Sequence, residues 1–216
     1  MALGRTLLIA TNNSGKLKEL TELLAESPYT PVSLADVGID EEVAETGSTF
    51  EENAALKATS YSRLSGLLTV ADDSGLEVEP LDGEPGPLSA RYAGQGATDS
   101  QRIAFLLCRL QNISEDLWNA RFRCVIALAS PERSTPLDLY QGECRGRIVR
   151  ERRGSFGFGY DPVFLVPELG KTMAELTPEQ KNRISHRSVA ARKAVADLKR
   201  RALQGLRLGR PKLDDN

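Results

Sequence analysis

The spacing of apolar positions predicts strands that alternate with helices along this chain. An apolar run from Arg5 to Thr11 ends at turn-forming residues and indicates a short buried strand. An amphipathic helix is expected to begin near Ser14 or Gly15, because apolar residues then recur at helical spacing. Those apolar residues are Leu17, Leu20, Leu23 and Leu24.

Later segments also show apolar residues at helical spacing or in the alternation typical of strands. A second helix is expected to start near Thr46-Gly47-Ser48-Thr49, and the spacing of Thr49 to Glu52 is that of a capping box. Alternating apolar side chains over 120–129 and a strand-like run over 137–149, separated by a Ser/Pro-containing turn, predict an antiparallel hairpin. A last helix carries one apolar face, made of Ala191, Val195, Leu198 and Ala202.

The stretch Thr69–Val78 places two adjacent carboxylates, Asp72 and Asp73, in an otherwise apolar, β-branched run. It predicts a strand, a tight acidic turn and a second extended segment, with Gly75 permitting the bend. Without a bend the two carboxylates would project to opposite faces. Acidic oxygens at the end of a strand suit Mg²⁺, which takes one or two protein carboxylates and otherwise binds water and phosphate. The alternative is a surface turn whose polar side chains bond nearby amides.

The junction between the first strand and the first helix is a candidate anion site. It consists of Thr11, Asn12, Asn13, Ser14, Gly15 and Lys16. Free amides at a helix start attract anions, and Lys16 adds a positive charge. The junction is not a Walker P-loop, because Ala10 replaces its first glycine and Leu17 replaces the metal-binding Ser or Thr. The alternative is an ordinary helix cap with an incidental lysine.

Three further segments add candidates. Glu45 precedes the second helix and is either a metal ligand or a solvated charge, whereas Lys57 lies on the helix itself. Residues 80–96 are rich in Pro and Gly and are expected to form an ordered loop. Asp99 or Ser100 is then expected to cap the next helix.

Aromatic rings separated by glycines occupy residues 156–161, Phe-Gly-Phe-Gly-Tyr-Asp. Such rings leave their faces open for stacking on a nucleobase. The alternative is a turn whose aromatics complete the core. His186 is the only histidine, which excludes a His-rich metal site, and the absence of a Gly-x-Ser-x-Gly elbow argues against a Ser-His-Asp hydrolase.

Composition restricts the functional classes. Of the 216 residues, 40% are hydrophobic and 27% charged, which is ordinary for a globular chain. The net charge of −2 argues against a general nucleic-acid binder. Three widely spaced cysteines indicate reduced thiols, and no apolar run suits a secretory signal or a membrane span. We therefore expect a cytoplasmic α/β protein with a mixed sheet, one domain over residues 1–204 and a polar, frayed tail over 205–216.

Six separated motifs follow one another over nearly the whole chain. They are Thr11-Asn12-Asn13-x-Gly15-Lys16, Glu45-Thr46-Gly47-x-Thr49-Phe50-x-Glu52-Asn53-Ala54, Ala71-Asp72-Asp73-Ser74-Gly75, Ser89-Ala90-Arg91-Tyr92-Ala93-Gly94, Gly157-Phe158-Gly159-Tyr160-Asp161-Pro162-x-Phe164 and Ser185-His186-Arg187. Together they resemble the inosine triphosphate pyrophosphatase family, whose members hydrolyse non-canonical purine nucleoside triphosphates.

The resemblance implies an elongated mixed β-sheet flanked by helices, with two lobes around a central active-site cleft and usually a homodimer. It also implies Mg²⁺-dependent attack of water at the α-phosphate of ITP, dITP or XTP, which releases pyrophosphate and the monophosphate. Asp73 would be the general base and a metal ligand, and Asp72 beside it is expected to assist. The substrate residues would be the Thr11–Lys16 turn, Ser74, the loop of Phe158, Gly159, Tyr160 and Asp161, and Lys181, His186 and Arg187.

Charge supports these roles, because a triphosphate with about four negative charges needs cations around it. Lys16, Lys57, Lys181 and Arg187 are expected to supply them together with the metal. One departure from the family concerns the metal: members often carry two acids before Thr-Gly, whereas this chain has Ala44-Glu45. The second metal ligand is therefore expected at Glu45 or is missing.

Two other functions stay open at this point. A septum-inhibitor-like nucleotide pyrophosphatase would share the fold and prefer another base, and a non-catalytic nucleotide sensor would bind without hydrolysis. A haloacid-dehalogenase-type phosphatase is disfavoured because its Asp-x-Asp motif would need an acid at Ser74. In each case the expected partner is a small nucleotide, with no nucleic-acid polymer and no membrane.

Overall fold

A computed structural model describes residues 5–132 and 137–208. The strands in those ranges are β1 Thr6–Ile9, β2 Thr30–Ser33, β3 Leu68–Val78, β4 Asn119–Ala129, β5 Asp138–Ile148, β6 Phe164–Val166 and β7 Lys171–Thr172. The α-helices are α1 Ser14–Leu24, α2 Phe50–Ser65, α3 Asp99–Leu110, α4 Pro178–Ile184 and α5 His186–Leu208.

One mixed sheet joins these strands in the order β2-β1-β3-β4-β5-β6-β7. β1 pairs in parallel with β2 and β3, whereas every pair from β3 to β7 is antiparallel. The predicted hairpin is confirmed as β4 and β5, although residues 133–136 of its turn lie outside the described ranges. The predicted mixed sheet in an α/β fold is likewise confirmed.

The helices cover both faces of the sheet. Leucines of α1 and the small apolar face of α5 pack on β1, β3 and β4, and all four residues predicted for that face of α5 are buried. The opposite face is covered by α2, through Phe50, Ala54 and Ala58. Further along β3 and β4, α3 packs on a second apolar cluster around Trp118 and Phe164. The long strands β3 and β4 therefore connect two packed regions.

The acidic stretch forms one unbroken strand, so the predicted acidic turn is wrong. β3 pairs with β4 over ten consecutive residues, from Thr69 opposite Ala129 to Val78 opposite Ala120. This long-range ladder and the burial of the strand outweigh the local turn preference of Asp, Ser and Gly. Gly75 does not bend the chain; a Cβ there would lie 2.3 Å from Ser89 Oγ, so glycine makes room for the neighbouring segment.

Of the three predicted helix starts, the first is confirmed and the caps predicted for the other two need correction. Asn13 caps α1 through a 2.9 Å bond from Lys16 N, which confirms the predicted start. At α2 only half of the predicted capping box forms: Thr49 accepts from Glu52 N, but the Glu52 carboxylate bonds Ser48. At α3 the cap is Thr98, in a complete capping box with Gln101, and not Asp99 or Ser100.

Two remaining segments differ in detail from the prediction. The predicted loop over 80–96 contains the 3₁₀ helix Gly86–Arg91 and the end of another, Glu79–Leu81. α5 continues to Leu208, past the expected domain end at residue 204, and residues 209–216 of the predicted tail lie outside the described residues. Among the helices that the structure describes, none has the length and apolar character needed to cross a bilayer.

Candidate functional site

A cleft of about 1200 Å³ brings together segments from both packed regions. Its walls include the turn before α1, the middle of β3, the 3₁₀ helix Gly86–Arg91, the aromatic loop (residues 156–161) and the start of α5. The predicted site residues that line it are Thr11, Asn12, Asn13, Ser14, Gly15, Lys16, Glu45, Lys57, Asp73, Ser74, Phe158, Gly159, Tyr160, Asp161, Lys181, His186 and Arg187. Asp72 is the one predicted residue that does not line the cleft.

Asp72 lies beneath the cleft, on the face of β3 that α1 and α5 cover. Its side chain is fully buried, 2.6 Å from Lys16 Nζ and 3.1 Å from Arg187 Nε. Ser74 Oγ and Cys124 Sγ also donate to it. Burial alone would raise the pKa of Asp72, but the charges of Arg187 and Lys16 outweigh it and hold the pKa well below its usual range. Asp72 is thus a permanent anion that orients two cations.

Asp73 projects to the opposite face of β3, toward α2. Lys57 Nζ lies 3.3 Å from Asp73 Oδ1 and 2.5 Å from Glu45 Oε1, and it donates to the carbonyl of Asp72 at 2.8 Å. Burial raises the pKa of Asp73, and Lys57 and Lys16 offset this only in part. A carboxylate with a raised pKa in a cleft is suited to accept a proton.

The carboxylates on this side of the cleft fit a hard cation. Asp73 Oδ2 is buried and has no hydrogen-bond partner in the described part of the chain, so one carboxylate oxygen is available in the cleft wall. Glu45 is held nearby through the shared Lys57. Within residues 5–132 and 137–208 no group of three or more His, Cys, Asp or Glu could enclose a metal. Two carboxylates match Mg²⁺, which completes its shell with water and substrate phosphates.

The other end of the cleft combines an aromatic ring with buried cations. Lys181 Nζ lies 5.1 Å and Arg187 Cζ 5.6 Å from the centroid of the Phe158 ring. Lys181 pairs with Asp161 and, at 2.8 Å, with Glu19. Burial would lower the pKa of Lys181, but Asp161 and Glu19 more than offset it, so the side chain stays charged. The arrangement combines a stacking surface with charged donors.

Arg187 is anchored on three sides. It is 1% exposed and donates through Nε to Asp72, through Nη1 to Glu19 and through Nη2 to Ser74 Oγ at 2.8 Å. These contacts use three of the five N–H groups of the guanidinium, and Arg187 is one of the residues that line the cleft.

His186 is buried and neutral. Its ring stacks on Phe122 at 4.8 Å, and burial together with the charges of Arg187 and Lys181 holds its pKa well below the usual value. Nδ1 is buried without a partner among the described residues. The imidazole can therefore offer one donor and one acceptor without adding charge.

Gly15 is the point at which the turn before α1 contacts the Phe158 ring. A Cβ on this residue would lie 2.6 Å from Phe158 Cδ1, closer than a Cβ contact allows. Glycine in the anion-binding turn therefore lets the aromatic ring approach the backbone of that turn.

Glu19 was missed by the sequence reasoning. Its spacing of three from Lys16 puts both on one face of α1, which is the signal that could have identified it. Arg91, whose guanidinium lies 3.9 Å from Glu45, and Asp99 also line the cleft. Arg91 stands inside a recognised motif, whereas the role of Asp99 depends on a contact with residue 159 that no local pattern reveals.

The four cations that were expected to neutralise the triphosphate are themselves compensated by carboxylates. The four cations Lys16, Lys57, Lys181 and Arg187 contact five carboxylates, which are Glu19, Glu45, Asp72, Asp73 and Asp161. With all of them ionised, this cluster has a net charge of −1. The side chains alone therefore do not neutralise a polyphosphate.

Comparisons with known proteins give matches that cover nearly the whole chain. A family model described as the Ham1 family matches residues 7–197. A dITP/XTP pyrophosphatase of Bacillus subtilis (strain 168) is 45% identical over 193 residues, covering 89% of this chain and 96% of that protein. A dITP/XTP pyrophosphatase of Methylococcus capsulatus is 49% identical over 201 residues, covering 93% of this chain and 98% of that protein. The solved structure of a HAM1 protein from Coxiella burnetii superposes with a TM-score of 0.82 at 41% identity, covering 90% of this chain and 98% of that chain.

Proposed function

Since the chain belongs to the Ham1 family, we propose that it hydrolyses non-canonical purine nucleoside triphosphates such as ITP, dITP and XTP to the monophosphate and pyrophosphate. Relatives that match about nine-tenths of the chain are named dITP/XTP pyrophosphatases. The observation that carries the proposal is that one cleft is lined by the turn before α1, a carboxylate with a raised pKa and an aromatic ring close to two cations. Such an enzyme would remove damaged purine nucleotides from the pool.

The turn from Thr11 to Lys16 is proposed to hold the triphosphate together with Lys57, which also lines the cleft. Backbone amides at the start of α1 and the Lys16 ammonium favour bound phosphate oxygens. Because carboxylates compensate these cations, we propose that the substrate enters as its Mg²⁺ complex. Asp73 and Glu45 would hold the metal, which when bound would withdraw charge from the phosphates and lower the pKa of a coordinated water.

Asp73 is proposed as the general base. Its raised pKa brings its basicity closer to that needed at neutral pH, and its free oxygen can accept the proton of the attacking water. Attack at the α-phosphorus forms one P–O bond and breaks the bond to the leaving pyrophosphate, which takes up the electron pair. Asp72 has no free role as a base in this scheme; it holds Lys16 and Arg187 in place.

Base selection is proposed to rest on hydrogen-bond complementarity around Phe158. Stacking of the purine on this ring contributes about 1–3 kcal/mol in comparable sites and does not discriminate strongly between bases. Inosine and xanthosine offer an acceptor oxygen at position 6, whereas adenine offers a donor amino group. The remaining N–H groups of Arg187 would pair with the oxygen but would face the adenine amino group unpaired, which rejects ATP.

Three further features belong to the proposal as a whole. We propose Mg²⁺ as the cofactor, a homodimer as the assembly and the cytoplasm as the location. The comparisons do not favour the two alternatives, a septum-inhibitor-like enzyme of other base preference or a nucleotide sensor.

Product analysis tests the proposal. Purified protein is incubated with Mg²⁺ and ITP, XTP, ATP or GTP, and pyrophosphate and orthophosphate are measured separately. We expect pyrophosphate from ITP and XTP, little from ATP or GTP, and release about 10²–10⁴-fold slower from the Asp73→Asn variant. Orthophosphate as the first product would indicate a phosphatase, and binding without any product would indicate a sensor; either result would refute the proposal.

A further inference from the structure

The aromatic loop, residues 156–161, needs external support to hold Phe158 in one place. Gly157 and Gly159 flank the ring with φ of +74° and +63°, a region that glycine enters freely and also leaves freely. Inside the loop, Phe158 N donates to Asp161 Oδ2 at 3.0 Å. This bond closes the turn but does not connect it to the rest of the fold, so the ring's position relative to the cleft depends on other contacts.

Several contacts to other segments supply that support, among them the bond from Phe156 N to the carbonyl of Ala174 at 3.0 Å and the pairing of Asp161 with Lys181. Two more follow Phe158 directly in the chain. Tyr160 Oη donates to the carbonyl of Ser89 at 3.0 Å, and Gly159 N donates to Asp99 Oδ2 at 2.7 Å. The second contact holds the peptide that directly follows Phe158. A charged acceptor makes it the stronger kind of hydrogen bond.

Asp99 is free for this contact because it does not cap its own helix. Thr98 is the cap of α3, and its capping box with Gln101 satisfies the helix start without Asp99. Arg102, one turn along α3, bonds the other carboxylate oxygen and also donates to the carbonyl of Ala90. The Asp99 carboxylate is thereby fixed between α3, the 3₁₀ helix Gly86–Arg91 and the aromatic loop.

We propose that Asp99 is a positioning residue for purine binding: through Gly159 it sets the Phe158 ring where the base stacks. This inference rests on the proposed function, since it concerns the base of that substrate. Asp99 acts through the loop backbone and takes no part in the phosphate chemistry. Its loss therefore weakens binding of the base and leaves the reacting groups in place.

The test measures the effect of Asp99 on binding of the base and on binding of the phosphates separately. KM and kcat for ITP are measured for the wild type, Asp99→Ala and Asp99→Asn, together with inhibition by inorganic tripolyphosphate, which has no base. Asp99→Ala is expected to raise KM for ITP about tenfold, with kcat within about twofold, because one hydrogen bond to a charged acceptor is lost. The inhibition constant of tripolyphosphate is expected to stay unchanged. Asp99→Asn keeps one of the two acceptor oxygens that Gly159 N and Arg102 use, so its KM for ITP is expected to lie between those of the wild type and Asp99→Ala.

A matched control comes from Asp36. This residue also accepts a backbone N–H bond in the first turn of a short helix, from Ser33 N at 2.8 Å, but its donor does not line the cleft. Asp36→Ala is expected to leave KM for ITP unchanged. Thermal unfolding of each variant verifies that the compared proteins are folded at the assay temperature.

Several results would overturn the inference. An unchanged KM in Asp99→Ala, or an equal loss of affinity for ITP and tripolyphosphate, would show that Asp99 does not act on the base. If the wild type itself released no pyrophosphate from ITP, the proposed function would fail as well, and that outcome is read from the wild-type assay alone.

Discussion

Exchanging Asp72 for Asn is expected to destabilise the protein strongly, whereas the same exchange at Asp73 is expected to stop turnover and leave the fold intact. The two carboxylates are neighbours on β3 but face opposite sides. Asp72 is paired with Lys16 and Arg187, and its pKa is held well below the usual range. The pKa of Asp73 is raised by burial, so its ionised form is disfavoured in the fold.

The magnitude follows from these environments. Removing one partner from a buried ion pair costs about 3–5 kcal/mol, since the remaining charges stay buried without compensation. For a chain of this size each kcal/mol lowers Tm by about 2–4 °C, so Asp72→Asn should lose about 6–20 °C. Asp73→Asn removes a disfavoured charge at similar volume and should be at least as stable as the wild type near neutral pH. Loss of a general base should reduce kcat by about 10²–10⁴-fold.

Thermal and denaturant unfolding of both variants, alongside pyrophosphate release from ITP, check these expectations. The stability difference between the wild type and Asp72→Asn should narrow as the pH falls through the depressed pKa of Asp72, because the carboxyl stabilises the fold only when ionised. Equal midpoints for the wild type and Asp72→Asn, or a lower midpoint for Asp73→Asn than for Asp72→Asn, would refute the division of roles.

Two further outcomes are expected. Gly15→Ala should raise KM for ITP roughly tenfold, because its Cβ would lie 2.6 Å from Phe158 Cδ1 and displace the ring; in a Phe158→Ala background the same change should cost little, and additive effects in this double-mutant cycle would contradict the contact. The acidic limb of kcat/KM for ITP should lie above pH 3.8, the usual pKa of a free Asp, because burial raises the pKa of Asp73 and the base is lost as the pH falls through that raised value; a limb at or below 3.8 would show that another group controls the rate.

Much of the fold was predictable because local periodicity determines it. The apolar face of α5 and the alternation along β4 and β5 can be read within about ten residues of chain. β3 was not predictable in the same way. Its central Asp-Asp-Ser-Gly favours a turn locally, and only pairing with β4, some fifty residues away, keeps it extended.

The candidate site also contains residues that local sequence could predict and contacts that it could not. Contiguous motifs such as the Thr11–Lys16 turn supplied many of the predicted site residues, all of which line the cleft except Asp72. The partners of those residues come from distant segments. Glu19 of α1 meets Lys181 of α4 and Arg187 of α5 only in the folded chain, and Asp99 meets Gly159 across sixty residues. Such contacts depend on tertiary geometry, which no spacing rule within one segment contains.

The pairing of Lys16, Lys57, Lys181 and Arg187 with carboxylates affects how the protein interacts with other anions. A cleft lined by unpaired lysines and arginines would draw in abundant phosphates, sugar phosphates and ordinary nucleotides by its field alone. Here the charges of these four cations are nearly cancelled within the protein, so binding of a ligand depends on short-range fit to both its phosphates and its base. A rare nucleotide can thereby be picked out from a large excess of common ones without the cleft being occupied by them.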